Sequence, residues 1–74
     1  NVGLLCKGQY FLVRSGEIGE GGMSVMTDMV LSEGDEVVVS FQIPGGAFVS
    51  IRSVVKSVLK AEKPGMMMHG LAFT

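Results

Sequence analysis

Apolar residues along this chain fall in short runs separated by glycine. The clearest run is Glu36 to Ile43, where Val37, Val39, Phe41 and Ile43 alternate with Glu36, Ser40 and Gln42, the two-residue period of a half-buried strand. Val2 to Lys7 and Tyr10 to Val13 flank Gly8-Gln9 and read as a hairpin. The segment Gly16-Glu17-Ile18-Gly19-Glu20-Gly21-Gly22 holds four glycines in seven residues, which predicts a loop or a sharply bent strand end. Met23, Met26 and Val30 fit a helical spacing, but Gly21-Gly22 ahead of them and the β-branched Val25 and Thr27 favour a strand over Met23 to Thr27. Leu31 to Asp35 is a connecting loop.

Pro44-Gly45-Gly46 then turns the chain into Ala47 to Lys60, with Val49, Ile51, Val55 and Leu59 on one parity and Arg52, Lys56 and Lys60 on the other. A long, bent strand is expected there. Ala61 to Gly65 is a polar turn containing Pro64, and Met66 to Phe73 supplies a last strand interrupted by Gly70. The pattern predicts an all-β, six-stranded antiparallel barrel or sandwich. Its core should include Val37, Val39, Phe41, Ile43, Val49, Ile51 and Val55.

Length bounds what such a fold can do. Seventy-four residues make a single domain, Asn1 to Thr74, that buries only roughly 60% of the surface its unfolded chain exposes. A cleft between two lobes is excluded, which argues against an enzyme. The single Cys6 cannot form an internal disulfide, as expected for a cytoplasmic protein. No apolar run reaches the ~20 residues of a membrane span, and no signal-peptide pattern opens the chain. The start at Asn1 and the stop at Thr74, straight after a strand, suggest a piece of a longer protein.

The net charge of −1 is unevenly spread. Glu17, Glu20, Asp28, Glu33, Asp35 and Glu36 precede position 37, while Arg52, Lys56, Lys60 and Lys63 follow it. Six basic residues against seven acidic ones cannot neutralise the many phosphates that DNA binding requires, so DNA is not an expected partner.

Few residues offer chemistry. His69 is the only histidine and has no companion ligands near it, so a structural or solvated role is expected over a metal site. Met66, Met67 and Met68 suit adaptable core filling. Cys6 lacks a neighbouring base on its own strand face, and Ser24 and Ser40 sit in no nucleophile-elbow motif. Arg52, Lys56 and Lys60 should share one strand face at steps of about 13 Å, either as a solvated surface or as a dock for an acidic partner. The glycine-rich segment could cradle an anion with its backbone N–H groups, although Glu17 and Glu20 oppose that charge.

From the glycine segment onward the chain resembles a PilZ domain. Glu17-Ile18-Gly19-Glu20-Gly21-Gly22-Met23-Ser24-Val25 occupies the place of that family's Asp/Asn-x-Ser-x-x-Gly motif. The similarity continues through Leu31, Gly34-Asp35, the strand Val37 to Ile43 ending at Pro44, the strand around Ile51 to Val58, and His69-Gly70-Leu71-Ala72-Phe73. It spans essentially the whole chain and implies a six-stranded PilZ-like barrel, with the family's C-terminal helix absent from this segment.

The departures concern the ligand. No Arg-x-x-x-Arg pair lies between Asn1 and Tyr10, Glu17 has a longer side chain than the motif's first residue, Gly19 lacks the serine hydroxyl, and only Gly22 is kept. The resemblance therefore implies a non-enzymatic regulatory or protein-interaction module of bacterial cyclic di-GMP signalling, with no cofactor and with weak or absent nucleotide binding. Arg14, Glu17, Gly19 and Gly22 are its candidate ligand residues, and Arg52, Lys56 and Lys60 its candidate docking residues for another protein or domain. A cyclic di-GMP receptor that takes its arginines from a flanking segment is the alternative.

Overall fold

A computed structural model describes residues 2–29 and 31–74. The strands are β1 (Val2–Cys6), β2 (Gln9–Ile18), β3 (Gly22–Thr27), β4 (Glu36–Gln42), β5 (Phe48–Lys60) and β6 (Met67–Phe73). They close into an antiparallel barrel in the order β1-β2-β3-β6-β5-β4. The all-β class and the six-stranded barrel are as the alternation predicts, and no helix occurs among the described residues. Met23 to Thr27 is a strand; Val30, which completed the helical spacing, lies outside the described residues.

The first hairpin turns one residue earlier than expected. Lys7 and Gly8 hold the positive φ values, 52° and 78°, which a two-residue turn needs to match the strands' twist. Gln9 is already paired with Cys6.

Inward-facing residues from every strand fill the barrel. Val2, Leu4, Cys6, Val13, Met23, Val25, Val37, Val39, Val55 and Leu71 are buried together, and Leu31 joins them from the β3–β4 connection. Of the predicted core, Val37, Val39 and Val55 are fully enclosed, Phe41 packs against them, and Val49 and Ile51 are half-buried. Ile43 is not a core residue. It lies beyond the end of β4, 44% exposed, where its N–H donates to the Ala47 carbonyl at 2.8 Å and closes the turn into β5.

Two bulges give the barrel its outer shape. In β2 the register steps from Ser15 opposite Val25 to Ile18 opposite Met23, so two residues, Gly16 and Glu17, stand against Ser24. Strand β2 thus runs into the glycine segment as far as Ile18 as a bent strand end, Gly19 to Gly21 form the turn, and Gly22 opens β3. In β5 the register steps from Val55 opposite Leu71 to Ser57 opposite Gly70, with Lys56 as the extra residue. A bulge reverses the alternation beyond it. Val58 therefore packs on the core while Leu59, which shares the sequence parity of Val55, points outward at 63% exposure.

Candidate functional site

The turn between β2 and β3 is short and tied down by its own backbone. The Gly19 N–H donates to the Gly22 carbonyl at 2.8 Å, and the Phe73 N–H donates to the Gly21 carbonyl at 2.9 Å. The Glu17 N–H donates to the Ser24 hydroxyl at 2.9 Å, across the bulge. None of Gly16, Gly19, Gly21 and Gly22 has a positive φ. A concave anion nest needs successive residues of opposite handedness, so this turn does not form one. Gly22 has a structural task instead: a β-carbon there would strike the backbone carbonyl of Leu71 in β6.

Glu17, Gly19 and Gly22 do come together, lining a shallow hollow with Ile18, Met23 and Ser24. Arg14 is not among them. It lies on the other side of the bulge, opposite Met26, and lines a separate groove with Met26, Met68, Leu59, Lys60 and Lys63. The hollow with the motif residues thus carries the carboxylate of Glu17 and no cation.

The predicted basic stripe does not form, and the β5 bulge is the reason. Arg52 stands on the outer face opposite Val38 and shares a hollow with Leu5, Lys7 and Glu36. Lys56 is the inserted residue. Lys60 pairs with Met67, which gives it the parity of Val58 and His69 rather than that of Arg52. Being at the strand end it remains exposed, and it joins Arg14 in the groove instead of extending a line from Arg52.

His69 is fully buried, and neither ring nitrogen has a hydrogen bond of acceptable geometry. Burial pushes its pKa below the ordinary value of 6.5, and the backbone of Met67 and Val25 offsets only part of that effect. Of the structural and solvated placements expected for it, the buried one is observed. Cys6 is a free thiol buried in the core. Among the described residues no group of three or more His, Cys, Asp or Glu side chains is placed to hold a metal ion. No helix among them is long and apolar enough to cross a membrane.

Met26, Met68, Leu59 and Lys63 are the groove residues that the alternation pattern does not single out. The available signal is Gly70, an isolated glycine inside a strand pattern, and Gly16 at the head of the glycine segment, since such glycines mark bulges and close backbone approach. Compared with protein-family models, curated proteins and solved structures, the chain matches none.

Proposed function

We propose that this chain is a non-enzymatic, PilZ-like regulatory or protein-interaction module of bacterial cyclic di-GMP signalling type, acting in the cytoplasm, with weak or absent nucleotide binding of its own. The observation that carries the reading is the state of the motif residues. Glu17, Gly19 and Gly22 line a hollow with no cation, and the backbone that encloses it lacks the handedness of an anion nest. A ligand with two phosphates and two guanines needs cationic clamps and polar groups for its base edges. Ser24, the hydroxyl nearest that hollow, already accepts the Glu17 N–H.

The six-stranded barrel and the placement of the glycine segment between its second and third strands support the family resemblance. A wall with an uncovered apolar groove supports the interaction role. Calorimetric titration of the chain with cyclic di-GMP tests the proposal. The expected result is no saturable heat at nucleotide levels up to about 10 μM. Saturable sub-micromolar binding would overturn it.

A further inference from the structure

We infer that the groove on the β2-β3-β6-β5 wall docks an acidic protein segment carrying one large apolar side chain, with Met26 and Met68 as its floor and Arg14, Lys60 and Lys63 as its charged rim. The inference rests on the interaction-module reading and names the partner's chemistry.

Barrel closure settles the mode of contact. Every strand is paired on both sides, so no edge is free to accept an added strand. A partner must therefore bind side chains on the outer wall. Across that wall Arg14 faces Met26, Met26 faces Met68, and Met68 faces Leu59, a continuous row over four strands. The row is apolar apart from its arginine because the β5 bulge turns Leu59 outward. Met26 and Met68 are half-buried and Leu59 is 63% exposed. Together with the residues entering the β5–β6 loop they enclose about 500 Å³, ample for one aromatic or leucine side chain. Methionine suits such a floor because its flexible, polarisable side chain adapts to the shape placed on it.

The rim fixes the sign of the partner. Arg14, Lys60 and Lys63 line the groove against the single carboxylate of Glu62, in a chain whose net charge is −1. The one ion pair among the described residues is Lys7 with Asp35 at 3.8 Å, so the three groove cations have no carboxylate partner. Carboxylates flanking an apolar anchor complement this arrangement and speed the encounter. The apolar patch of Leu5, Tyr10 and Leu12, on β1 and the first half of β2, gives no such sign. There Lys7 is paired with Asp35, and Arg52 shares its hollow with Glu36.

The test is carbon-13 NMR of the methionine methyl groups in the whole chain, with Met26 and Met68 assigned through their leucine variants. The probes are a short synthetic peptide of aspartates and glutamates around a central phenylalanine, a version with lysines for the acids, and a version with glycine for the phenylalanine. The first should shift the Met26 and Met68 methyls saturably, with a Kd of about 10–100 μM that weakens with added salt. The other two should leave them unmoved. Lys60→Glu combined with Lys63→Glu alters only exposed side chains and should weaken the first peptide at least tenfold, on the order expected for reversed rim charges.

Unmoved methyls, an equal response to the lysine or glycine peptide, or a response confined to anionic phospholipid vesicles would overturn the inference. A parallel cyclic di-GMP titration separates the two failures. Sub-micromolar nucleotide binding would remove the reading beneath the inference, whereas silence from both nucleotide and peptide would remove the docking site alone.

Discussion

The carbonyl oxygen of Leu71 lies so close to the α-carbon of Gly22 that no β-carbon fits between them. Both belong to strands paired on each side within the barrel, so neither backbone can retreat without disturbing its neighbours. The one motif glycine this chain shares with the PilZ pattern is thereby explained by strand packing alone. Gly22→Ala should destabilise the fold by about 2–4 kcal/mol, the range of overpacking against backbone. Urea unfolding measures this, and a loss under about 0.5 kcal/mol would contradict it.

Gly19 is the opposite case. The nearest atom to a β-carbon there is the Gly22 carbonyl oxygen at 4.0 Å, and the residue needs no left-handed backbone. Gly19→Ser should change stability by no more than about 0.5 kcal/mol. It restores the motif's hydroxyl yet adds no cation, so cyclic di-GMP binding should remain undetected in calorimetry. Micromolar binding created by this single change would show that the missing hydroxyl, not the missing charge, was the defect.

Burial of His69 links stability to pH. The unfolded chain takes up a proton near 6.5, whereas the folded chain holds His69 below that value through desolvation. The unfolded state therefore binds more protons over the window between the two values. Stability is fully present above pH 6.5 and is lost as pH falls towards the depressed folded value, with a slope of at most about 1.4 kcal/mol per pH unit. His69→Leu should flatten this slope and leave stability at neutral pH equal or higher, because it removes two buried nitrogens without partners. Thermal melts between about pH 5 and 7 decide it: an unchanged slope in the leucine variant would clear His69 of the effect.

The bulge in β5 makes adjacent residues behave oppositely. Val58 packs on the core and Leu59 is 63% exposed. Val58→Ala should cost about 1–2 kcal/mol, while Leu59→Ala should stay within about 0.5 kcal/mol although it removes the larger side chain. Comparable losses from both would mean that the strand runs without the extra residue.

These pairs show where the sequence was readable. Strand number, class and the enclosed trio Val37, Val39 and Val55 follow from alternation, since a two-residue period is imposed by the pleat itself. The shared parity of Val55 and Leu59, and the Arg52, Lys56 and Lys60 stripe, fail in the fold because alternation carries no memory of an inserted residue. One unpaired position reverses every side chain after it. The segment from Gly16 to Ile18 was open between loop and bent strand for a related reason: its glycines signal bending without saying whether ladder pairing continues. The Arg14 groove depends on which strands become neighbours around the barrel. Met26 and Met68 are far apart in sequence and meet only because β3 lies beside β6.

The seam that closes the barrel is a short join. Strand β1 meets β4 through three registered residue pairs among the described residues, while β4 and β5 share seven. Only the β2–β3 join, interrupted by its bulge, has as few registered pairs. Opening the β1–β4 seam would turn a cylinder without edges into a sheet with two bare ones, and one of them is Val37-Val38-Val39-Ser40-Phe41, uncharged and rich in β-branched and aromatic residues. Such an edge is sticky towards copies of itself, so a half-open state would offer a route to self-association that the closed barrel does not.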